Sequence, residues 1–439
     1  MDKDVLHEGV LFALQEPKYV ANPYPLYQRL RSEAPVYWDF VSSAWFVTRY
    51  ADVRTGLVDP RLSTKNFPFD VSQLPRDLQK HLSPLARVMS KEVLHNSAAE
   101  HDRLRRPLNR AFNPAALERL RPEMTAQAHE LLRKAERRRS IDVVLDYSEP
   151  LGNHMFGALL GLPDGDRAKF IKWCDEIRNF TMMPRMGQAT VAKATGAAKT
   201  FKAIRAHVRT LISVCRKNSD NVIGRSFAVD GSEAAPTEDE ILANCVFFLH
   251  SGVRNMSAAI TNALLVLFQH PEQFSRLREY PQSISIAVEE LLRYETPLHI
   301  LTRGVPVEIE FAGRRIGPKQ LLVLLLGAAN RDPEQFTSPD QLDLMRRPNR
   351  HMSFGVGAHG CVGAAIARFG LTVALGAILD RKTELRLTHR KLQWNLPLMR
   401  RTVSTLPVFV RRHSQRRRRF APAVLRSANT LASPLISSS

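Results

Sequence analysis

A chain of 439 residues, 44% hydrophobic and 24% charged, has the composition of a globular protein and enough length to enclose a deep site. Its formal charge is +20, but seven arginines and no acid fall in residues 411–439, which leaves +13 on the body. That excess attracts acidic partners; no nucleic-acid fold signature accompanies it, so an acidic protein ranks first and nucleic acid last. Four cysteines (Cys174, Cys215, Cys245 and Cys361) show no paired spacing, which argues against a disulfide framework and for a reducing compartment. The opening stretch MDKDVLHEGVLFALQEPKYV mixes charges and has no long apolar run, so neither a signal peptide nor a membrane anchor is expected, and the expected location is cytoplasmic.

Along the chain, the part up to about residue 70 mixes a helix (PLYQRLRSE) with short strand-like runs (PVYWDF, AWFVTRY). From about 98 to 330 helical periods dominate. One helix is unusual. Thr237-Glu238-Asp239-Glu240 reads as a capping box, and the apolar segment behind it runs to His270, where Pro271 signals a stop. At 1.5 Å per residue this predicts a helix of roughly 48 Å, long enough to cross the domain. Two short strands follow (VEIEFAG, QLLVLLL), then the loop-rich NRDPEQFTSPDQLDLMRRPNR, then an apolar helix from Val362. No linker or repeat divides the chain, so residues 1–410 read as one domain and 411–439 as a basic, solvated extension.

The sharpest local signal is Phe354-Gly355-Val356-Gly357-Ala358-His359-Gly360-Cys361-Val362-Gly363. Three glycines in the six positions before one cysteine describe a tight loop with positive φ or close backbone approach to something flat. Such a loop aims N–H groups at the sulfur, and a helix beginning just behind it adds its positive end, both favouring thiolate. A thiolate so placed is an axial ligand that pushes electron density through iron. The plainer alternative is a buried free cysteine beside a glycine-rich turn.

The loop resembles the F-G-x-G-x-H-x-C-x-G signature of the soluble bacterial cytochrome P-450 family, and the resemblance extends from Asn22-Pro23-Tyr24-Pro25 to about Arg411. It implies an α+β fold: a mainly α, triangular helical prism with small β-sheets and a long central helix over haem b, with Cys361 as the metal ligand and Phe354, His359 and Gly363 lining the cofactor. Glu290-Leu291-Leu292-Arg293 matches E-x-x-R, whose Glu and Arg share a helix face and pair structurally; Arg346 is the counterpart of the third member. His101 and Arg105 match H-x-x-x-R for one haem propionate, and Arg303 with His351 take the positions that bind the other. Ala329-Asn330-Arg331-Asp332-Pro333 is a structural landmark of the family. Val362 replaces the usual Leu and Leu342 a common aromatic.

The departure is distal. The family's A-G-x-E/D-T reads Ser251-Gly252-Val253-Arg254-Asn255 here, so the acid is Arg254 and the threonine Asn255. Ser251 and Gly252 keep a small pair that leaves room for oxygen. An Arg cannot serve as a proton-donating acid at neutral pH. Three readings are open. Asn255, a water or a substrate hydroxyl does the alcohol's work while Arg254 faces away in a salt bridge; or Arg254 grips a substrate carboxylate, as in the family's peroxide-using branch; or the iron does atypical coupling, rearrangement or nitric-oxide chemistry. His250 is tempting as an acid, though a lone helix His is more often packed. The resemblance further implies a pocket lined by parts of about 65–95 and 170–190, by Phe247 and Phe248, by Leu298-His299-Ile300, and by Pro397-Leu398-Met399. The expected function is a monooxygenase acting on an apolar small molecule (a lipid, terpenoid or other secondary metabolite), with no membrane span and with electrons from a separate ferredoxin or flavodoxin. The rival is a non-catalytic haem sensor, for which no partner segment is visible.

Overall fold

The computed structural model describes residues 9–64, 71, 75–96, 98–182, 191–215, 235–381, 383–388, 392–395 and 399–412. Its main helices are α1 (Tyr24–Glu33), α2 (Tyr50–Val58), α3 (Arg76–Met89), α4 (Ala98–Ala111), α5 (Pro114–Arg138), α6 (Glu149–Leu160), α7 (Asp164–Met182), α8 (Val191–Cys215), a central α9 over 238–269, α10 (Pro271–Glu279), α11 (Ile284–Tyr294) and α12 (Ala364–Leu379). Strands β1 (Val36–Asp39), β2 (Ala44–Val47), β4 (Ile300–Gly304) and β7 (Leu321–Leu325) form one sheet in the order β1-β2-β7-β4. β3 (Ser140–Asp142), β8 (Thr383–Leu387) and β9 (Pro407–Arg412) form a second in the order β3-β9-β8, and β5 (Ile309–Phe311) pairs with β6 (Arg314–Ile316). A helical body with small sheets is what the sequence implied.

α9 is built as its sequence reads. The Thr237 side chain accepts from the Glu240 N–H at 3.3 Å and the Glu240 carboxylate accepts from the Thr237 N–H at 2.7 Å, closing the capping box. Beyond it come an α segment Glu238–Phe247, a π segment Phe248–Gly252 and a second α segment Val253–Gln269. The second is buried continuously from Met256 through Leu267, mostly by apolar side chains, as a helix at a protein's axis must be. The wide turn interrupts the ladder where the distal motif lies, the usual place for such a bulge. One large core gathers α3 to α9, α11 and α12, and two smaller clusters flank the first sheet.

Two boundaries differ from expectation. α12 begins at Ala364, not Val362, because Gly363 (φ −87, ψ 10) serves as its N-cap. The domain runs past 410: Arg411 and Arg412 continue β9 and pair with Glu384 and Thr383. Residues 413–439 lie outside the described residues.

Candidate active site

The cysteine loop is closed by its own backbone. The Cys361 N–H donates to the Phe354 carbonyl at 2.7 Å, Gly360 N–H to Gly357 O at 3.0 Å, and Gly355 N–H to Met352 O at 2.9 Å. Gly355 and Gly357 have φ of +63° and +79°, and a Cβ on Gly357 would also come within 2.9 Å of Val58. A side chain at either position is therefore strained. Cys361 is exposed at its surface, yet the surrounding protein raises its thiol pKa by burial; the N–H of Gly363 and the charges of Arg105 and Arg368 pull the other way. The sulfur sits within 3.7 Å of where a Gly363 Cβ would be, so the loop keeps that side of it open.

Next to the loop lie two histidines and two arginines. His101 is 2% exposed and its ring centroid is 4.2 Å from that of His359. His359 is pushed down to about 4 by burial and by His101, Arg303 and Arg105, and its Nδ1 is buried without a partner. Arg303 is buried and donates to the Thr302 carbonyl at 3.0 Å; burial lowers its pKa, and no acid contributes to offset that. Among the described residues, the carboxylate near this group is Asp102, 3.3 Å from His101. Burying positive charge without counter-charge is costly, and such a cradle is complementary to an anionic ligand. A flat cofactor with two carboxylates would suit it, with His101, Arg105 and Arg303 to hold it and Cys361 nearby. His351 stands apart. Its Nε2 lies 3.2 Å from the Glu289 carboxylate and its Nδ1 accepts from the Ser353 N–H at 3.2 Å, so both nitrogens already have protein partners.

Behind the loop, Glu290 and Arg293 are fully enclosed. The Glu290 carboxylate accepts from Arg293 at 2.7 and 2.8 Å, from Arg346 Nε at 3.1 Å, from Asn349 at 3.1 Å and from the Asp343 N–H at 3.0 Å. Arg293 also donates to the carbonyls of Asn330 and Pro339, each at 2.8 Å. The i, i+3 spacing on α11 sets up the pair, and Arg346 joins it from the loop.

On the distal side the residues divide. Arg254 ties α9 to its neighbours: its guanidinium donates to Glu149 on α6 at 2.6 Å and to Asp175 on α7 at 2.5 Å. The second oxygen of Asp175 is 3.0 Å from His250 Nδ1. Burial would raise the Asp175 pKa, but the hydrogen bonds from His250 and Arg254 hold it below the usual value; His250 is pushed down, chiefly by burial. Asn255 accepts from Arg400 Nε at 2.9 Å. A Cβ at Gly252 would come within 2.2 Å of the Phe156 ring, so its missing side chain lets α6 pack close to the central helix. Ser251 is half-buried.

The expected pocket wall is also sorted. Phe247 is half-buried, whereas Phe248 is buried edge-on against Phe112, with centroids 5.4 Å apart, and belongs to the core. Leu298 pairs across an antiparallel bridge with Arg400. His299 faces the other way: Tyr27 Oη is 3.1 Å from its Nδ1, Glu295 is 3.5 Å from its Nε2, and its ring fills the space beside Gly327. Ile300 lies in the cluster with Leu26, Tyr27 and Phe46. His299 and Ile300 are thus packed against protein neighbours. Leu398 lies outside the described residues, as do much of 65–74 and 183–190.

Sequence reasoning missed Glu149, Asp175, Glu289 and Arg400. The partners of Arg254 lie 105 and 79 residues away, with no local pattern to link them. Glu289 had a signal, an acid adjacent to the E-x-x-R glutamate; it grips Arg368 at 2.7 Å through both oxygens, which with His351 holds its carboxyl at about 2 despite burial.

Comparison with known proteins agrees with this geometry. The Cytochrome P450 family model matches residues 75–389. The "biotin biosynthesis cytochrome P450" of Bacillus subtilis (strain 168) is 31% identical over 394 residues, covering 89% of this chain and 97% of that protein. The "polyketide biosynthesis cytochrome P450 PksS" of the same organism is 28% identical over 414 residues, covering 91% and 99%. Among solved structures, P450BioI in complex with hexadec-9Z-enoic acid ligated acyl carrier protein superposes with a TM-score of 0.78 at 29% identity, covering 89% of this chain and 99% of that one. CalO2 superposes at 0.80 with 28% identity, covering 90% and 98%. The chain therefore belongs to the cytochrome P450 family of haem b monooxygenases.

Proposed function

We propose that the protein oxygenates an apolar small molecule in a biosynthetic pathway, with Cys361 as the iron ligand and electrons from a separate ferredoxin- or flavodoxin-type donor. One observation carries the cofactor assignment: buried His101 and Arg303 and half-buried Arg105 gather near Cys361, and among the described residues Asp102 is the carboxylate near them. His101, Arg105 and Arg303 would hold the haem propionates, and the Gly363 N–H would orient the sulfur. Bound haem supplies dioxygen activation and oxygen transfer. The protein's share is to hold the cofactor, keep the distal helix in place and exclude water. Arg254 acts structurally: with Glu149 and Asp175 it ties α9 to α6 and α7, which supports the reading in which it faces away from substrate. Relatives named for biotin and polyketide biosynthesis support a biosynthetic substrate.

Cys361→Ser tests the assignment. The reduced carbon-monoxide complex of the unmutated protein should show the thiolate-type spectrum, and the variant should lose it. A serine variant that keeps that spectrum removes Cys361 as the ligand. Arg254→Ala should leave substrate affinity within a few-fold, measured by spin-state titration; a loss of about 30-fold or more would put Arg254 in the pocket.

A further inference from the structure

Two adjacent arginines, Arg400 and Arg401, are treated differently by the fold. The backbone of 399–401 runs antiparallel to 297–299, with Met399 O accepting from the His299 N–H and Pro297 O from the Arg401 N–H, both at 2.9 Å. Bridge partners share a face of the ribbon, so Leu298 and Arg400 point one way and His299 and Arg401 the other. On its face Arg401 is fully served: Glu295 at 2.7 Å, the carbonyls of Val20 and Ala21 at 2.7 and 2.8 Å, and the Trp394 ring at 3.7 Å. Arg400, on the face of the central helix, donates Nε to Asn255 at 2.9 Å, and no carboxylate among the described residues pairs with it.

Resting on the haem-thiolate reading above, we propose that Arg400 recognises a substrate carboxylate, so that the preferred substrates are apolar carboxylic acids. The Asn255 carboxamide holds Nε and thereby fixes the guanidinium plane, leaving its two terminal nitrogens as a fork of the geometry a carboxylate matches. This gives Asn255 a task that the alcohol in the family pattern could not perform with the same reach: it positions Arg400. The nearby acids do not compete. Asp175 already serves His250 and Arg254, and Glu149 serves Arg254. Burial and the like charge of Arg254 lower the Arg400 pKa to about 10, which keeps it cationic at neutral pH and raises the benefit of an incoming anion. Nor does Arg400 belong to the propionate cradle. The charges that act on His359 are His101, Arg303, Arg105 and Asp102, whereas those that act on Arg400 are Arg254 and Asp175. Half-buried Leu298, the bridge partner of Arg400, supplies apolar surroundings in which such a pair is stronger than in water.

The test uses the haem-loaded full chain and spin-state titration with straight-chain acids from octanoate to hexadecanoate, each against the alcohol and methyl ester of equal length. The acid should bind at least about 10-fold more tightly than its neutral analogues. Arg400→Ala should weaken the acid by about 30-fold or more and leave the alcohol within about 3-fold; Arg400→Lys should retain part of the preference, and Arg254→Lys, which keeps a cation for Asp175 and Glu149, all of it. The reduced carbon-monoxide spectrum is recorded for every variant. Its absence from the unmutated protein would end the haem-thiolate reading itself. With that spectrum intact, equal affinity for acid and alcohol, no response to any acid, or an equal loss for both ligands in Arg400→Ala and Arg400→Lys would each overturn the carboxylate assignment alone.

Discussion

Glu290 shows how much one buried carboxylate can organise. It neutralises fully enclosed Arg293 and nearly enclosed Arg346 and caps the Asp343 N–H. An exposed pair of this kind contributes ~0–1 kcal/mol, whereas removing one partner of a buried one costs ~3–5 kcal/mol, because an uncompensated charge remains. Glu290→Ala should therefore yield apoprotein or aggregate, read by haem content per polypeptide; full haem loading with slow turnover would make Glu290 catalytic instead. Glu295 carries a pH dependence. Burial alone would raise its pKa, but Arg401, His299 and Arg331 hold it at about 2 in the folded state, below the ordinary 4.5 of a glutamate. A depressed carboxyl stabilises the fold above about pH 4.5, and that contribution is lost as pH falls from there towards 2. Glu295→Gln should lower the melting temperature at neutral pH and bring it closer to the parent's as pH falls through that window. A constant difference across the window would dissociate Glu295 from the acid transition. The cysteine loop and the Glu290 pair were legible in the sequence because their information is local, a few residues of fixed spacing. The direction of Arg254, the pairing of His351 with Glu289 and the burial of His299 were not, because each depends on a residue brought from another element.

The central helix joins two requirements in one stretch. Its ends are regular and apolar, but Phe248–Gly252 widens to a π turn, and there α6 comes close enough for Phe156 to occupy the place of a Gly252 side chain. The start and stop of the helix were readable from the capping box and Pro271; the wide turn was not, since it answers to packing and not to propensity. Arg254 and Asp175 then tie the helix to α7 just beyond the bulge. Gly252→Ala should clash with Phe156 and destabilise the fold by ~1–3 kcal/mol, the usual cost of overpacking. Phe156→Leu in the same chain should recover part of that loss because it relieves the same contact. Additive melting shifts for the two changes would mean that Phe156 does not set the requirement for glycine.

Across the whole molecule, charge and fold end at different places. The strand pairing Arg411 with Glu384 and Arg412 with Thr383 makes those two residues part of the second sheet, although composition places them in the basic stretch. Residues 413–439 hold five more arginines and no acid, so deleting them lowers the formal charge from +20 to +15. That segment lacks the apolar periodicity with which a helix or strand joins a core. A chain ending at Arg412 should bind haem and melt like the full protein, whereas one ending at Val410 should melt lower because β9 loses two paired residues. The same pair of truncations tests the proposed electron donor. If an acidic ferredoxin is steered by the basic body, its association rate should fall steeply between low salt and physiological ionic strength, where the screening length is about 8 Å, and the chain ending at Arg412 should keep most of that dependence because most of the charge stays. A rate independent of salt would remove steering altogether. A dependence that vanishes with residues 413–439 would move the docking charge from the body to the extension.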